Sequence, residues 1–266
     1  STLNLKWFGI GGFMWNTPEM EFRSENIKKF IDQTLPDSDV IVFTEVVESD
    51  ALIEIVKHRM DCAIYEGAWS RHQHVITCYD RNKFRIEKYD SDFIIEEVDL
   101  GSGGLRPAAQ SKLCHINGKC FLQIIGVHLA AGRKSEKRLE QVKLINADLV
   151  RHQDLLPTVV TGDFNSYSTT QSGLPEDDID MFEDALSAGT KRFESVTRHI
   201  TTYGSGDWAK AYDHIVTTSD IRTLRTWGYE ACEKKPDLSK TFIPWGSFRR
   251  HYTDHCPVTA DIIVED

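Results

Sequence analysis

The sequence predicts an α/β protein built on mixed β-sheets. Three observations lead there. β-branched apolar runs alternate with amphipathic helical stretches. Turn-linked strand pairs interrupt the strand–helix–strand rhythm. Acids, amides and histidines recur just past the ends of apolar strands. All-parallel strands would be expected of a TIM barrel, so the hairpins favour a mixed-sheet sandwich instead.

The elements follow in order. Leu3 to Ile10 reads as a strand, broken by Gly11-Gly12. Ser24 suits a helix N-cap, with Ile27, Phe30 and Ile31 forming a stripe to Leu35, and Pro36-Asp37 ends the helix. Val40 to Glu45 is a continuous apolar run ending in an acid, as for a strand buried on both faces. Residues 49–60 carry Leu52, Ile55, Val56 and Met60 at helical spacing. His74 to Tyr79 and Arg85 to Tyr89 read as paired strands around Asp80-Arg81-Asn82-Lys83. Gly101 to Gly104 is a loop, and Gln110 to His115 with Lys119 to Val127 form a hairpin. Ser135 opens a helix carrying Leu139, Val142, Ile145 and Leu149. Pro157 opens the strand into Gly162-Asp163, and residues 176–188 read as a helix ended by Gly189. The acids of its first turn complement the helix dipole. Tyr212 to Thr217 and Pro257 to Val264 are the last strands.

The 266 residues are read as one domain spanning 1–266, since there is no linker, repeat or low-complexity segment. Hydrophobic residues make up 40% and charged ones 27%, enough for a sizeable core. No apolar run approaches the roughly 18 residues that span a bilayer. The net charge of -10 argues against holding polyanions by bulk electrostatics, though not against an enzyme that must release one. Six cysteines without a CxxC exclude a zinc ribbon and permit disulfides, with 15 connectivities. Around Asn117-Gly118, a two-residue turn would put Cys114 and Cys120 on opposite faces. A three-residue loop with Gly118 left-handed would set them opposite each other for a bridge.

Chemistry centres on Val159-Val160-Thr161-Gly162-Asp163-Phe164-Asn165. In extended backbone residues i and i+2 point the same way, so Asp163 and Asn165 would project together from a buried strand. Four other strand boundaries carry comparable groups: Glu45, His128, Asp213-His214 and Asp254-His255. Ligand crevices of open α/β sheets lie at strand ends. Alternation turns His214 away from its neighbour Asp213, so His214 is read as structural. His58, His152 and His199 lack such context and read as surface residues.

Five segments, in order, carry a family resemblance: Phe43-Thr44-Glu45-Val46, Gly126-Val127-His128-Leu129, Thr161-Gly162-Asp163-Phe164-Asn165, Tyr212-Asp213-His214-Ile215-Val216 and Thr253-Asp254-His255-Cys256-Pro257-Val258. The chain resembles the endonuclease/exonuclease/phosphatase superfamily of deoxyribonuclease I-like proteins, from about residue 3 to 264. The resemblance implies a four-layer sandwich, two mixed β-sheets flanked by helices, and a divalent-metal phosphodiesterase site. By position, Glu45 and Asp254 would serve the metal, Mg2+ with Mn2+ or Ca2+ as further candidates. His255, polarised by Asp213, would be the general base, and His128 would lie on the leaving-group side. Asp163 and Asn165 would position phosphate, water or a second metal. Two departures are expected. The family's first-strand Asn falls on Gly9, with Asn16 as a distant substitute, and Gln73 stands where a Glu orients the leaving-group His.

The substrate expectation is DNA cut endonucleolytically with little sequence preference, RNA being a further possibility. Leu105-Arg106-Pro107 matches a phosphate-contacting loop. Trp245 to Tyr252 interleaves Arg249 and Arg250 with aromatics, suited to phosphates and bases. Arg133, Lys134, Lys137 and Arg138 offer another basic edge. The alternatives are a lipid or inositol-phosphate phosphoesterase of sphingomyelinase type, or a binding protein whose catalysis is weakened at Gly9 and Gln73. The further expectations are a monomer without stable membrane association, and a secreted or periplasmic location, with the cytoplasm as the alternative.

Overall fold

A computed structural model describes residues 1–8, 20–64, 73–87, 94–95, 108–152, 156–167, 177–204, 210–229, 232 and 253–264. The first half runs β1 (Thr2–Phe8), α1 (Met20–Thr34), β2 (Val40–Val46), α2 (Ser49–Val56), β3 (Met60–Ile64), β4 (His74–Asp80), β5 (Phe84–Glu87), β6 (Ile94–Ile95) and β7 (Ala108–His115). The second runs β8 (Cys120–His128), α3 (Ser135–His152), β9 (Thr158–Asp163), α4 (Asp178–Ser187), β10 (Phe193–Ser195), β11 (Asp213–Thr218), β12 (Ile221–Gly228) and β13 (Val258–Val264).

One sheet has the order β12-β13-β1-β2-β4-β3 and the other β10-β11-β9-β8-β7-β5, with β6 joined to β7. Each is mixed: β1–β2 and β8–β9 are parallel, and the remaining neighbours are antiparallel. Side-chain alternation builds four layers. Leu3, Leu5, Ile41 and Phe43 face Ile27, Phe30, Leu52 and Val56 of α1 and α2. Ile125, Val127 and Val160 face Val142, Ile145, Phe182 and Leu186 of α3 and α4. Val42, Val75, Ile124, Val159 and Ile215 meet between the sheets. At full burial such side chains contribute about 1.5–3 kcal/mol each, so this repeated alternation fixes which residue of every strand faces the seam.

The structure corrects several expectations. β4 and β5 are not a hairpin: β4 pairs with β2 and β3, whereas β5 pairs with β7 of the other sheet. The turn at 81–83 carries the chain between sheets. The helix expected over 49–60 stops at Val56, and Met60 begins β3. Ser24 lies inside α1, which starts at Met20. Ala188 is the C-cap of α4; Gly189 instead leaves room for α3, since a Cβ there would meet Asn146 Oδ1 at 2.6 Å. β12 escaped sequence reading because most of its residues are solvent-exposed to some degree, leaving no apolar period. Gly9, Gly11-Gly12, Asn16, Gly101 to Gly104, Arg106 and Trp245 to Tyr252 lie outside the described residues.

All six cysteines are bridged, Cys62–Cys78, Cys114–Cys120 and Cys232–Cys256. Cys114 does face Cys120, but through a register shift beside Leu113 rather than a left-handed Gly118. Denatured without reductant, the protein is expected to show no free thiols on titration with a thiol reagent; six would contradict these pairings.

Candidate active site

The parallel pairs β1–β2 and β8–β9 carry the polar constellation where they meet across the seam. In β1, Leu3 and Leu5 face the helices, so Asn4 between them faces the other sheet. In β9, Val160 faces helices, so Thr161 and Asp163 face the seam. The same alternation brings His128 of β8 inward behind Ile124. Asn4 and Asp163 therefore meet from opposite sheets. The Asn4 amide donates to Asp163 Oδ2 at 2.9 Å and to Glu45 Oε1 at 3.0 Å.

This bond corrects the reading of Gly9 as a missing first-strand Asn: Asn4 supplies the amide. It sits in mid-strand, registered with Thr44 one residue before Glu45. The signal was available, because an Asn flanked by Leu3 and Leu5 is buried and must find partners. Gln73 Nε2 donates to the other oxygen of Glu45, at 3.0 Å. Both Asn4 and Gln73 thus support the carboxylate rather than marking losses.

His128 Nε2 lies 3.6 Å from Glu45 Oε1 and 3.5 Å from Asp163 Oδ2, and its side chain is 2% exposed. The negative charge that Gln73 cannot give His128 comes from these carboxylates. Glu45 and Asn165 adopt φ of 58° and 50°, left-handed conformations that cost ordinary residues of order 1–3 kcal/mol. Both persist because their partners hold them. Asn165 N–H donates to Asp163 Oδ1 at 2.8 Å, and its amide donates to Leu129 O at 3.1 Å, clasping the end of β8. Gly162, at φ 139°, is required for that approach: a Cβ would stand 2.0 Å from Val127 O.

On the other side of Asp163, His255 Nδ1 is 2.7 Å from Asp213 Oδ2. Thr202 Oγ1 accepts from the N–H groups of Tyr212 and Asp213, at 3.1 and 3.0 Å. Thr253 Oγ1 donates to Asn4 O at 2.7 Å and accepts from His255 N–H at 3.3 Å. Thr202 escaped the sequence reading, and Thr253, though within the matched segment from Thr253 to Val258, was given no role there. Burial by itself would lower the His255 pKa, but the charges of Asp213, Asp163 and Asp254 raise it to about 10. Burial, then the charges of Asp213 and Glu45, push Asp163 up to about 7 against the opposing pull of His255. Asp254 is half-buried and acts on His255 by charge; the structure does not bring it into the Glu45 group.

Two clusters share Asp163. Ligand atoms of Glu45, His128 and Asp163 lie within 4.8 Å of one another, as do those of Asp163, Asp213 and His255. Buried carboxylates at such spacing repel and raise one another's proton affinity, which is the electrostatic demand a cation meets. Carboxylate oxygens on Glu45 and Asp163 fit a hard divalent ion.

Other expected contacts separate. Arg138 is fully buried and is no phosphate contact: it pairs with Asp178 Oδ2 at 2.6 Å and donates to Ala130 O at 2.9 Å and Gly132 O at 2.6 Å. Asp178 also accepts from Tyr167 N–H and the Ser135 hydroxyl, both at 3.0 Å, tying the loops after β8 and β9 together. Removing one partner of so buried a pair costs roughly 3–5 kcal/mol. Arg133 and Lys134 are exposed. Arg106, Arg249 and Arg250 fall outside the described residues. A cleft of about 720 Å³ at the start of β2 and β9, lined by Phe84, Phe121 and Trp227, contains none of the polar constellation.

No family model and no curated protein sequence matches the chain. Solved structures do. An endonuclease/exonuclease/phosphatase from Bacteroides vulgatus superposes with TM-score 0.68 at 16% identity, covering 99% of this chain and 97% of that one. This chain has the endonuclease/exonuclease/phosphatase fold. The same fold is seen in D. rerio TDP2 complexed with a single strand DNA product, with TM-score 0.64, 10% identity and coverage of 99% and 98%. A Bacteroides thetaiotaomicron mannosyl-6-phosphatase superposes with TM-score 0.59 at 18% identity, covering 92% of each chain. The resemblance read from five motifs thus holds at the level of the fold, with the four layers in place.

His214 is the counterpoint to His255. It turns away from the seam, and its Nε2 meets Ser166 Oγ at 2.8 Å and Ala211 O at 3.0 Å. Burial holds its pKa down at about 4 despite the charge of Asp213. The unfolded chain, with an ordinary imidazole near 6.5, binds that proton first. Stability is therefore lost as pH falls from 6.5 towards 4, by up to roughly 3 kcal/mol from this residue. Urea unfolding across that range should show a shallower loss in His214→Gln than in the unaltered protein; equal slopes would contradict the assignment.

Proposed function

We propose that the protein is a divalent-metal-dependent phosphodiesterase, a DNA endonuclease with little sequence preference, using Mg2+ and working as a monomer. One observation carries the reading: Asp163 joins the His255–Asp213 pair to the Glu45–His128 group in one buried patch. A base with a fixed tautomer and a carboxylate pair suited to a cation are the parts that phosphoester hydrolysis requires. The fold alone does not choose the substrate, since similar structures include one holding a DNA product and a sugar phosphatase.

In this mechanism Asp213 accepts a hydrogen bond from His255 Nδ1–H, which leaves Nε2 to take a proton from water. The water oxygen attacks phosphorus, and the bond to the leaving oxygen breaks. His128 stands on the leaving-group side and returns a proton to that oxygen. Asp163 and Asn165 position the phosphate and the water. Glu45, with Asp163, would hold the divalent ion, which supplies positive charge against the phosphate oxygens and offsets the carboxylate field that raises His255. Arg106, Arg249 and Arg250 are the proposed DNA contacts beyond the described residues. The three disulfides support a secreted or periplasmic location.

Plasmid incubated with the pure protein should be nicked in Mg2+ and left intact in EDTA. His255→Ala and Asp163→Ala should lose about 10²–10⁴-fold in rate while remaining folded by circular dichroism. Release of phosphate from sugar phosphates, or of lipid headgroups, with plasmid untouched would contradict the nuclease reading. Silence on every phosphoester would contradict the phosphoesterase reading as well.

A further inference from the structure

Beside His255 stands a row of side chains that the mechanism leaves without a task. Tyr203 forms antiparallel bridges with both Lys210 and His255. Tyr203 N–H donates to Lys210 O at 3.0 Å, and Lys210 N–H returns the bond at 2.7 Å. Directly opposed residues present their side chains on one face, so Lys210, Tyr203 and His255 form a row, with backbones roughly 5 Å apart at each step. The Tyr203 and His255 rings are 5.3 Å apart, and Tyr212 lies 5.2 Å from Tyr203 and 6.1 Å from His255. The Tyr212 and Tyr167 rings are 5.7 Å apart.

Lys210 Nζ rests 5.6 Å from the Tyr167 ring centre and 5.7 Å from that of Tyr212. Its side chain is half-buried, yet among the described residues no carboxylate pairs with it. That is unusual in a site where Glu45, Asp163, Asp213 and Asp254 gather. An ammonium there to neutralise those acids would touch them. Instead, aromatic faces hold it next to the base, a placement that keeps its charge for an incoming anion.

We propose that Lys210, steadied by Tyr167 and Tyr212 and flanked by Tyr203, is an anion subsite for a phosphate oxygen of the substrate. The proposal rests on the phosphoesterase reading. The ammonium and the tyrosine hydroxyls offer donors to an oxyanion, and the row leads from His255 outward. The phosphate held is either the one being cleaved or the next along a nucleic acid strand.

The test compares the unaltered protein with Lys210→Gln, Lys210→Arg and Tyr203→Phe. Substrates are bis(p-nitrophenyl) phosphate, with one phosphate, and a trinucleotide, with flanking ones; inorganic phosphate serves as competitive inhibitor. Lys210→Gln should raise KM and the phosphate inhibition constant about tenfold, the size of a lost charge-assisted hydrogen bond, with kcat within about threefold. On the trinucleotide, the slope of log(kcat/KM) against log salt should become shallower by about one. Lys210→Arg should restore most of both, and Tyr203→Phe should give a smaller KM rise in the same direction. An effect on both substrates places the cleaved phosphate at Lys210; an effect on the trinucleotide alone places its neighbour there. Unchanged KM, inhibition constant and salt slope in folded Lys210→Gln would overturn the proposal while leaving the phosphoesterase reading intact. If the unaltered protein neither hydrolyses a phosphoester nor binds phosphate in calorimetry, that reading falls, and the subsite with it.

Discussion

One amide joins the two halves of the molecule at the site. Asn4 donates one hydrogen bond to Glu45 from its own sheet and one to Asp163 from the other. Its backbone carbonyl accepts from Thr253, which in turn takes the N–H of His255. Carboxylates from separate sheets would repel at this distance. Charge-assisted hydrogen bonds, worth about 1.5–3 kcal/mol each, help to offset that repulsion. Everything else in the site depends on the sheets meeting in this register. Gly126 lets β8 approach β4 and β2, since a Cβ there would meet Val75 at 2.6 Å and Val42 at 3.0 Å. Gly162 lets β9 close over Val127.

The charge pattern is consistent with the proposed action of an acidic chain on a phosphoester. Its -10 net charge repels anions at long range, which on the proposed reading would favour product release. The site concentrates that sign further, in Glu45, Asp163, Asp213 and Asp254, and the raised pKa values of Asp163 and His255 are the cost. On the proposed reading, a cation between Glu45 and Asp163 would relieve this field and let the patch accept a phosphate.

Much of this was legible in the sequence because strand ends are simple to read. Glu45, His128, Asp163, Asp213 and His255 each adjoin an apolar run, and alternation correctly turned His214 away from Asp213. What escaped lies where sequence distance and spatial distance part. Asn4 sits within a strand, and only the register with β2 brings it to Glu45. Lys210 reaches His255 through Tyr203, a pairing between segments that no local periodicity encodes. Arg138 looked like a surface cation from its basic neighbours, but Asp178, forty residues on, buries it. β4 and β5 resembled a hairpin because the turn between them is strong; instead β4 lies between β2 and β3, and β5 is the edge of the other sheet.

The central claim is that Asn4 sets Glu45 and Asp163 around a divalent ion. A crystal of the protein soaked in Mn2+ and measured at the manganese absorption edge tests it most directly. The account predicts an anomalous peak about 2.0–2.3 Å from carboxylate oxygens of Glu45 or of both Glu45 and Asp163, lost in Glu45→Gln. A peak elsewhere, or none in crystals of active protein, would contradict it.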